Sequence, residues 1–318
     1  MTDRIVLLVT SPRLPAGLLT AQAWAVTGTH PVFTGAESGQ TAALRAAGVE
    51  VSVLTEPAVD ALLAAAAAHG TAVWLAGPAG DPDLARELGL RLAREPGRAE
   101  LELMYGSWDP PGARLLDAVT VMDRLVSPGG DPWKRAQTHH TLARFLLEEA
   151  YEAYDAIEAG DLASLREELG DLLLQVVLHA RLAEELPEDE RWSVDDVAGD
   201  LVDKMVRRNP HVFAGARVAD LEEITDNWEQ IKRAEKARES IVDGIALGQP
   251  ALALAAKALD RANRAGLSVP PPDDDPLGAA LFATVADAKA RGLDAEAALR
   301  RTVLAYLDKV RAAEAGSG

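Results

Sequence analysis

The sequence contains no cysteine and few aromatic residues. Among its 318 residues there is no cysteine, and aromatic side chains make up 4%. The absence of cysteine excludes disulfides, thiolate nucleophiles and metals held by cysteine. It is compatible with a cytosolic protein.

Positive charge is also scarce. The chain has 32 basic and 50 acidic residues, and its formal net charge is −18. A protein that binds a nucleic-acid backbone needs a basic surface, so we expect no nucleic acid as a partner. A small, locally basic pocket for a phosphate group is not excluded by this balance.

Long uninterrupted apolar runs are missing as well. Two uncharged stretches, 14–35 and 61–80, are interrupted by glycine, proline or histidine. The apolar run after Arg4 has five residues, too few for a signal peptide. We therefore expect no membrane partner and a cytoplasmic location.

Alanine and leucine dominate the residues that are present, which favours helix. The length fits two or three domains. Residues 1–110 alternate short apolar runs with helical stretches, which predicts a smaller α/β domain with a partly parallel sheet. We predict a helical domain over 111–240 and a third, helical domain over 241–318. The fold class is therefore predicted as mainly α. The runs that predict strands are 5–9, 49–54, 72–75 and 100–104, and the helical stretches are 14–27, 58–68 and 83–94.

The tail repeats part of the central region. The segment Glu168–Val177 is echoed by Pro276–Val285. In the tail, Pro276 and Ala279 stand where the first segment has Glu168 and Asp171. Residues 241–318 are thus predicted to be a second helical copy that has lost its acids.

One acidic residue lies in the middle of an apolar helix face. At 100° per residue, the stretch 142–157 forms a helix with Glu149 inside its apolar face and Glu152 at the edge. An uncompensated acid in such a place costs several kcal/mol. Gly160 is suited to end this helix and Asp161 to begin another, which predicts an antiparallel hairpin.

The second helix of that hairpin adds two more acids. Glu168 and Asp171 are three residues apart and share one stripe beside an apolar face. Packing the hairpin would bring four carboxylates together, and divalent cations would offset their repulsion. Oxygen ligands favour Mg²⁺ or Mn²⁺ over Zn²⁺. The alternative is a solvated acidic surface, which the position of Glu149 disfavours.

The spacing of these acids resembles a known signature. Glu148-Glu149-x-x-Glu152 followed by Glu168-x-x-Asp171 is similar to the EExxE…ExxD pattern of MazG nucleotide pyrophosphohydrolases. The resemblance runs from about Leu115 to Leu267 and includes actinobacterial-like members. Other matching segments are 131–139, 169–177, 203–204, 207–213 and 228–232.

The resemblance implies an all-α fold, a homodimer whose helices form four-helix bundles, and cleavage between the α and β phosphates. It implies Mg²⁺, with Mn²⁺ as a substitute, on Glu149, Glu152, Glu168 and Asp171. Glu148 matches an acid that orients or deprotonates water. The chain departs from the pattern at Asp131, where the family has cysteine, and at Lys134, where it has an acid. Residues 1–110 resemble a degenerate tetrapyrrole methylase domain without its glycine-rich loop.

Five further residues are candidates for substrate binding. Trp133 could stack on a base or act as a packing anchor, and Gln137 follows it by one turn. Lys204 and Arg208 lie on or beside a buried face, suited either to triphosphate or to a helix end that favours cations. Arg207 is the weaker third cation. His139, His140 and His179 lack a metal-type grouping, so we treat them as non-ligands.

These observations predict a Mg²⁺-dependent hydrolase that converts nucleoside triphosphates to monophosphates and pyrophosphate, in nucleotide-pool housecleaning. Two alternatives remain open: a narrow dUTP or dCTP pyrophosphatase, and a non-catalytic helical module that binds nucleotides. Activity on many nucleoside triphosphates would distinguish the predicted hydrolase from the narrow pyrophosphatase. Nucleotide binding without turnover would identify the non-catalytic module.

Overall fold

The N-terminal strands form one parallel sheet. The computed structural model describes residues 2–54, 58–218, 220–235, 240–272 and 274–315. Its sheet has the strand order β3-β2-β4-β1-β5, and every strand pair in it is parallel. The strands are β1 (Arg4–Val9), β2 (Val32–Thr34), β3 (Val51–Val53), β4 (Thr71–Leu75) and β5 (Glu100–Tyr105).

Helices cover both faces of this sheet, because successive side chains of a strand point to opposite sides. In β1, Val6 and Leu8 lie in one core, and Ile5 and Leu7 lie in the other. The first core includes side chains of α1 and α2, and the second includes side chains of α3 and α4. The helices are α1 (Ala21–Thr29), α2 (Gly39–Ala46), α3 (Ala58–His69) and α4 (Pro82–Arg94).

The structure corrects three details of this region. The sheet is wholly parallel, and the region contains a strand and a helix, β2 and α2, that the sequence pattern did not predict. The first helix begins at Ala21 and not at Leu14, because Thr20 caps it by accepting a hydrogen bond from the amide of Ala23. Pro15 and Gly17, whose φ is +85°, lie in the loop before it.

A helical hairpin follows the α/β domain. Its two long helices end and begin as predicted: Gly160 has a φ of +69°, and Asp161 accepts hydrogen bonds from the amides of Ala163 and Ser164. Buried side chains from three helices form its core: Met122, Val126, Leu142, Val177 and Leu178. The helices of this region are α5 (Arg114–Val126), α6 (Pro132–Arg135), α7 (His139–Ala159), α8 (Leu162–Ala183) and α9 (Val194–Arg208).

The chain divides into two compact units, Met1–Gly199 and Asp200–Gly318, and the division falls inside α9. The second unit contains helices throughout its described part: α10 (Pro210–Phe213), α11 (Leu221–Ala234), α12 (Ala251–Arg264), α13 (Pro276–Ala290) and α14 (Ala295–Ala315). The last three contact one another. The predicted mainly helical class with a smaller α/β domain is confirmed. The three-domain division and the degenerate second copy stay predictions.

Within the described residues, no helix combines the length and apolarity that crossing a bilayer requires.

Candidate metal centre

The acidic residues lie on the two helices of the hairpin. A capping box fixes the start of α7, where Thr138 and Thr141 exchange side-chain and backbone hydrogen bonds. Glu148, Glu149 and Glu152 follow on α7, and Glu168 and Asp171 lie on α8. Because α7 and α8 pack along each other through the turn at Gly160, acids from both helices reach one place.

Three of the carboxylates converge. Glu149, Glu152 and Glu168 each place an oxygen within 4.8 Å of the other two. Glu149 and Glu168 are half-buried, whereas Glu152 is exposed. Asp171 lies outside this trio, yet its negative charge raises the pKa of both Glu149 and Glu168.

The surroundings of the trio disfavour negative charge. Burial is the largest cause that raises the pKa of Glu149, followed by the charges of Asp171 and Glu152. Burial also leads in raising the pKa of Glu168, followed by the charge of Glu152. Each of these influences acts against the ionised form, and a cation bound between the carboxylates would offset them.

The donor set fits a hard divalent cation. Carboxylate oxygens are the ligands that Mg²⁺ and Mn²⁺ prefer, and one or two carboxylates leave room for water and phosphate oxygens. Glu148 is exposed and does not join the trio, although its charge contributes to the raised pKa of Glu149.

The apolar faces of the hairpin are only partly covered within one chain. Leu142, Ala153 and Ala156 are buried as the periodicity predicts. Other side chains of the predicted faces are exposed, because α5 and the hairpin partner cover only part of each face. These are Leu146 at 41%, Ile157 at 57%, Leu169 at 53% and Val176 at 41%.

Trp133 and Gln137 form a small connected cluster before α7. Half of Trp133 is exposed, and its ring meets Phe145 edge-to-face at a centroid distance of 5.8 Å. The side-chain amide of Gln137 donates from Nε2 to the backbone carbonyl of Trp133 at 2.8 Å, and its Oε1 accepts from the hydroxyl of Thr141 at 2.8 Å. The packing interpretation of Trp133 thus has a contact that supports it, and its exposed half leaves stacking available.

The predicted phosphate-binding arginines have an acidic partner. Arg207 contacts Glu235 at 2.7 Å and Arg208 contacts it at 2.5 Å. The two guanidinium groups lower the pKa of Glu235 to about 2. Lys204, on the same helix, is half-buried. The roles of Lys204, Arg207 and Arg208 toward substrate stay predictions.

The sequence reading missed a histidine pair. His139 at the start of α7 and His179 on α8 place their Nδ1 atoms 2.7 Å apart, and the ring of Trp192 stacks on His139. Forty residues separate the two histidines, so no local spacing could reveal the pair. Burial and the neighbouring His139 lower the pKa of His179.

The fold and the site together describe one class of protein. In it, an α/β domain is followed in the chain by a helical hairpin whose carboxylates are suited to a divalent cation. Residues 137–213 match the model of the MazG nucleotide pyrophosphohydrolase domain. The chain is 31% identical over 227 residues to the nucleoside triphosphate pyrophosphohydrolase/pyrophosphatase MazG of Thermotoga maritima, which covers 64% of this chain and 86% of that protein. The chain belongs to the MazG family.

Two other relatives have a higher sequence identity to this chain. An uncharacterized 26.1 kDa protein of Streptomyces cacaoi is 49% identical over 240 residues, or 74% of this chain and 97% of the relative. A nucleoside triphosphate pyrophosphohydrolase of Mycobacterium tuberculosis is 46% identical over 203 residues, or 64% of this chain and 59% of the relative. The chain thus spans about three fifths of the mycobacterial protein.

Among solved structures, a mazG-related protein from Thermotoga maritima aligns with 29% identity and a TM-score of 0.31. The alignment covers 37% of this chain and 96% of that one.

Proposed function

We propose that this protein hydrolyses nucleoside triphosphates to nucleoside monophosphates and pyrophosphate, with Mg²⁺ held by Glu149, Glu152, Glu168 and Asp171. Mn²⁺ is the expected substitute. The membership of the MazG family supports the reaction, and the names of the Thermotoga and mycobacterial relatives agree with it. Nucleotide-pool housecleaning in the cytoplasm is the role proposed for it.

The convergent trio of carboxylates is the observation that carries the proposal. Three oxygens from two helices lie within 4.8 Å of one another, in surroundings that raise the pKa of two of the acids. Carboxylates this close repel one another when ionised, and a bound cation would offset that repulsion. Convergence of uncompensated acids is therefore best explained by a ligand that is positively charged.

Each acid has a proposed task. Glu149, Glu152 and Glu168 supply the core of the ligand set, and Asp171 completes it from one helical turn along α8. When bound, Mg²⁺ polarises the phosphates and lowers the pKa of a coordinated water. Glu148 stands at the first acid of the EExxE signature, and we assign it the task of orienting the attacking water or accepting a proton from it.

The substrate's other parts need groups outside the acidic trio. The exposed half of Trp133 offers a face for the base, and Gln137 is held beside it by two hydrogen bonds. Lys204, Arg207 and Arg208 are proposed to bind phosphate oxygens. Since Glu235 pairs with both arginines, substrate phosphate would compete with that carboxylate for the two guanidinium groups.

We also propose that the active form is a homodimer. Several large apolar side chains of the hairpin remain exposed in the single chain, and their removal from water would favour association. A second hairpin packed on them would complete a four-helix bundle. The exposed residues are Leu146, Leu147, Ile157, Leu169 and Val176.

The test is identification of the products. With Mg²⁺ and a panel of canonical and modified triphosphates, wild-type protein should release pyrophosphate and monophosphate in equal amounts. Glu149→Gln and Asp171→Asn should each lower kcat about 100-fold or more, since changes in even the outer shell of a metal site cost 10–100-fold. Helicity by circular dichroism should be unchanged.

Glu167→Gln is the matched control. Glu167 is exposed on α8 and lies outside the converging trio, and its charge raises the pKa of Glu168 less than burial and the charges of Glu152 and Asp171 do, so its loss should leave kcat within about twofold. Release of nucleoside diphosphate and inorganic phosphate would contradict the proposed cleavage between the α and β phosphates. Nucleotide binding without turnover would identify a binding module instead. Activity on one base alone would identify the narrow pyrophosphatase.

A further inference from the structure

The loop after β1 is held by a buried serine. Ser11 is 4% exposed, and its amide donates to the hydroxyl of Ser107 at 2.9 Å. Its own hydroxyl donates to Asp109 and accepts from the amide of Arg13 at 3.1 Å. Ser107 and Asp109 follow β5, so the ends of β1 and β5 are tied together. The backbone of Arg13 is therefore fixed.

Arg13 extends from this fixed loop to the first helix after the sheet. Its Nε and one terminal nitrogen contact the two carboxylate oxygens of Asp117, at 2.8 and 2.6 Å. Its other terminal nitrogen donates to Asp109. The Arg13 side chain is only 13% exposed. A bidentate pair of this kind fixes direction as well as distance.

Helix α5, which carries Asp117, also contacts the acid-bearing hairpin. Asp123, near its other end, accepts from Arg181 of α8 at 2.8 Å, and the Arg181 side chain is 15% exposed. Met122 and Val126 of α5 pack with Val177 and Leu178 of α8 in one core. Asp117 of α5 thus binds Arg13 in the loop after β1, and Asp123 binds Arg181 of α8.

We propose that α5 is a strut through which the α/β domain positions α8, and that Arg13 is the positioning residue anchoring it. The effect on metal binding rests on the function proposed above, in which Glu168 and Asp171 of α8 bind a cation. The positioning of α8 by α5 does not depend on that function. Asp171 lies ten residues before Arg181, about 15 Å along the same helix. Freeing the start of α5 should therefore loosen α8 and weaken metal binding before it affects the chemical step.

The central variants are Arg13→Met, Arg13→Lys and Asp117→Asn in the full-length protein. Arg13→Lys keeps the charge but loses the bidentate geometry, so it should give a partial effect. Asp117→Asn keeps the shape of the acceptor but removes its charge. It tests the same contact if Arg13→Met does not fold. Arg45→Met is the matched control, because Arg45 binds both oxygens of Glu37 wholly within the α/β domain.

The first measurement is amide hydrogen exchange of 114–126 and 162–183 without substrate. Arg13→Met and Asp117→Asn should raise the rates in both segments roughly threefold or more, and the double variant should add little, as for coupled residues. Arg45→Met should leave them unchanged. Equal effects of Arg45→Met and Arg13→Met, or unchanged exchange in 162–183, would overturn the proposal.

The second measurement separates positioning from general damage. The KM for Mg²⁺ in pyrophosphate release should rise roughly threefold or more in Arg13→Met, while kcat stays within about twofold of the wild-type value. The KM of Arg13→Lys should lie between those of wild-type protein and Arg13→Met. A fall in kcat alone would contradict the proposal. If wild-type protein showed no pyrophosphate release, the proposed function would fail, and hydrogen exchange would still decide the strut.

Discussion

At the scale of single residues, Glu149 has an unfavourable position for an ionised acid. It is half-buried on α7, and burial together with the charges of Asp171 and Glu152 raises its pKa. A carboxyl group whose pKa is higher in the folded than in the unfolded state favours folding only while it is protonated. That contribution is complete below the ordinary pKa near 4.5 and is lost as pH rises through the raised value.

Replacing Glu149 should therefore stabilise the metal-free protein. In the presence of a chelator, Glu149→Gln should raise the melting temperature at pH 7.5 and have little effect near pH 4. The reason is that only the ionised carboxylate suffers from burial and repulsion. Thermal unfolding at both pH values measures this difference. A lower melting temperature for the variant at pH 7.5 would contradict the account.

The same variant should respond less to metal. Adding Mg²⁺ or Mn²⁺ stabilises whatever folded state binds it. Wild-type protein should gain more in melting temperature than Glu149→Gln, and the wild-type gain should shrink as pH falls toward the raised pKa, because protons then compete for the carboxylates. Glu167→Gln serves again as the control that retains the metal response.

At the scale of secondary-structure elements, the turn between α7 and α8 is decisive for the site. Gly160 has a φ of +69°, and no atom lies near the position where a Cβ would stand. Gly160→Ala should thus cost about 1–2 kcal/mol from backbone conformation alone. Chemical denaturation measures it, and a cost near zero would show that the turn adapts freely.

The hairpin was also the part most open to prediction. Periodicity of 3.6 residues, Gly160 and Asp161 predicted both helices and their turn, and the raised pKa of Glu149 agrees with its place on the apolar face. Periodicity could not show that Leu146 and Leu169 stay exposed, because it reports a shared face and not what covers that face. The three-residue strand β2 is too short to give a pattern at all.

Exposure of that face leads to a test of the proposed dimer. Leu169 is 53% exposed on α8, and a charge there would be buried without a partner if a second hairpin packs on it. Leu169→Asp should weaken self-association about tenfold or more, the effect expected at a well-buried contact. Sedimentation across a concentration range measures it. Leu221→Asp, at an 81% exposed position, is the control.

At the scale of the whole molecule, the interactions that sequence reasoning missed join distant parts of the chain. Arg13 and Asp117 are 104 residues apart, and His139 and His179 are 40 apart. Local spacing carries no sign of such pairs, because they depend on how the sheet and the hairpin pack. Glu235 as the partner of Arg207 and Arg208 was missed for the same reason.

The α/β domain is connected to the acidic hairpin through α5. The carboxyl ends of β1 and β5 are joined by the hydrogen bonds of Ser11, Asp109 and Arg13. Those residues connect the sheet to α5, and α5 connects to the helix that carries Glu168 and Asp171. The domain thereby contributes to the acidic site without supplying a residue to it.

The most direct test of the central claim is the anomalous scattering of crystals grown with Mn²⁺. The account predicts a peak at about 2.2 Å from carboxylate oxygens of Glu149, Glu152 and Glu168, the distance typical of such ions with oxygen ligands. Asp171 should close on the same ion. If well-occupied manganese appeared elsewhere while these side chains stayed apart in solvent, the acids of α7 and α8 would not form a metal centre.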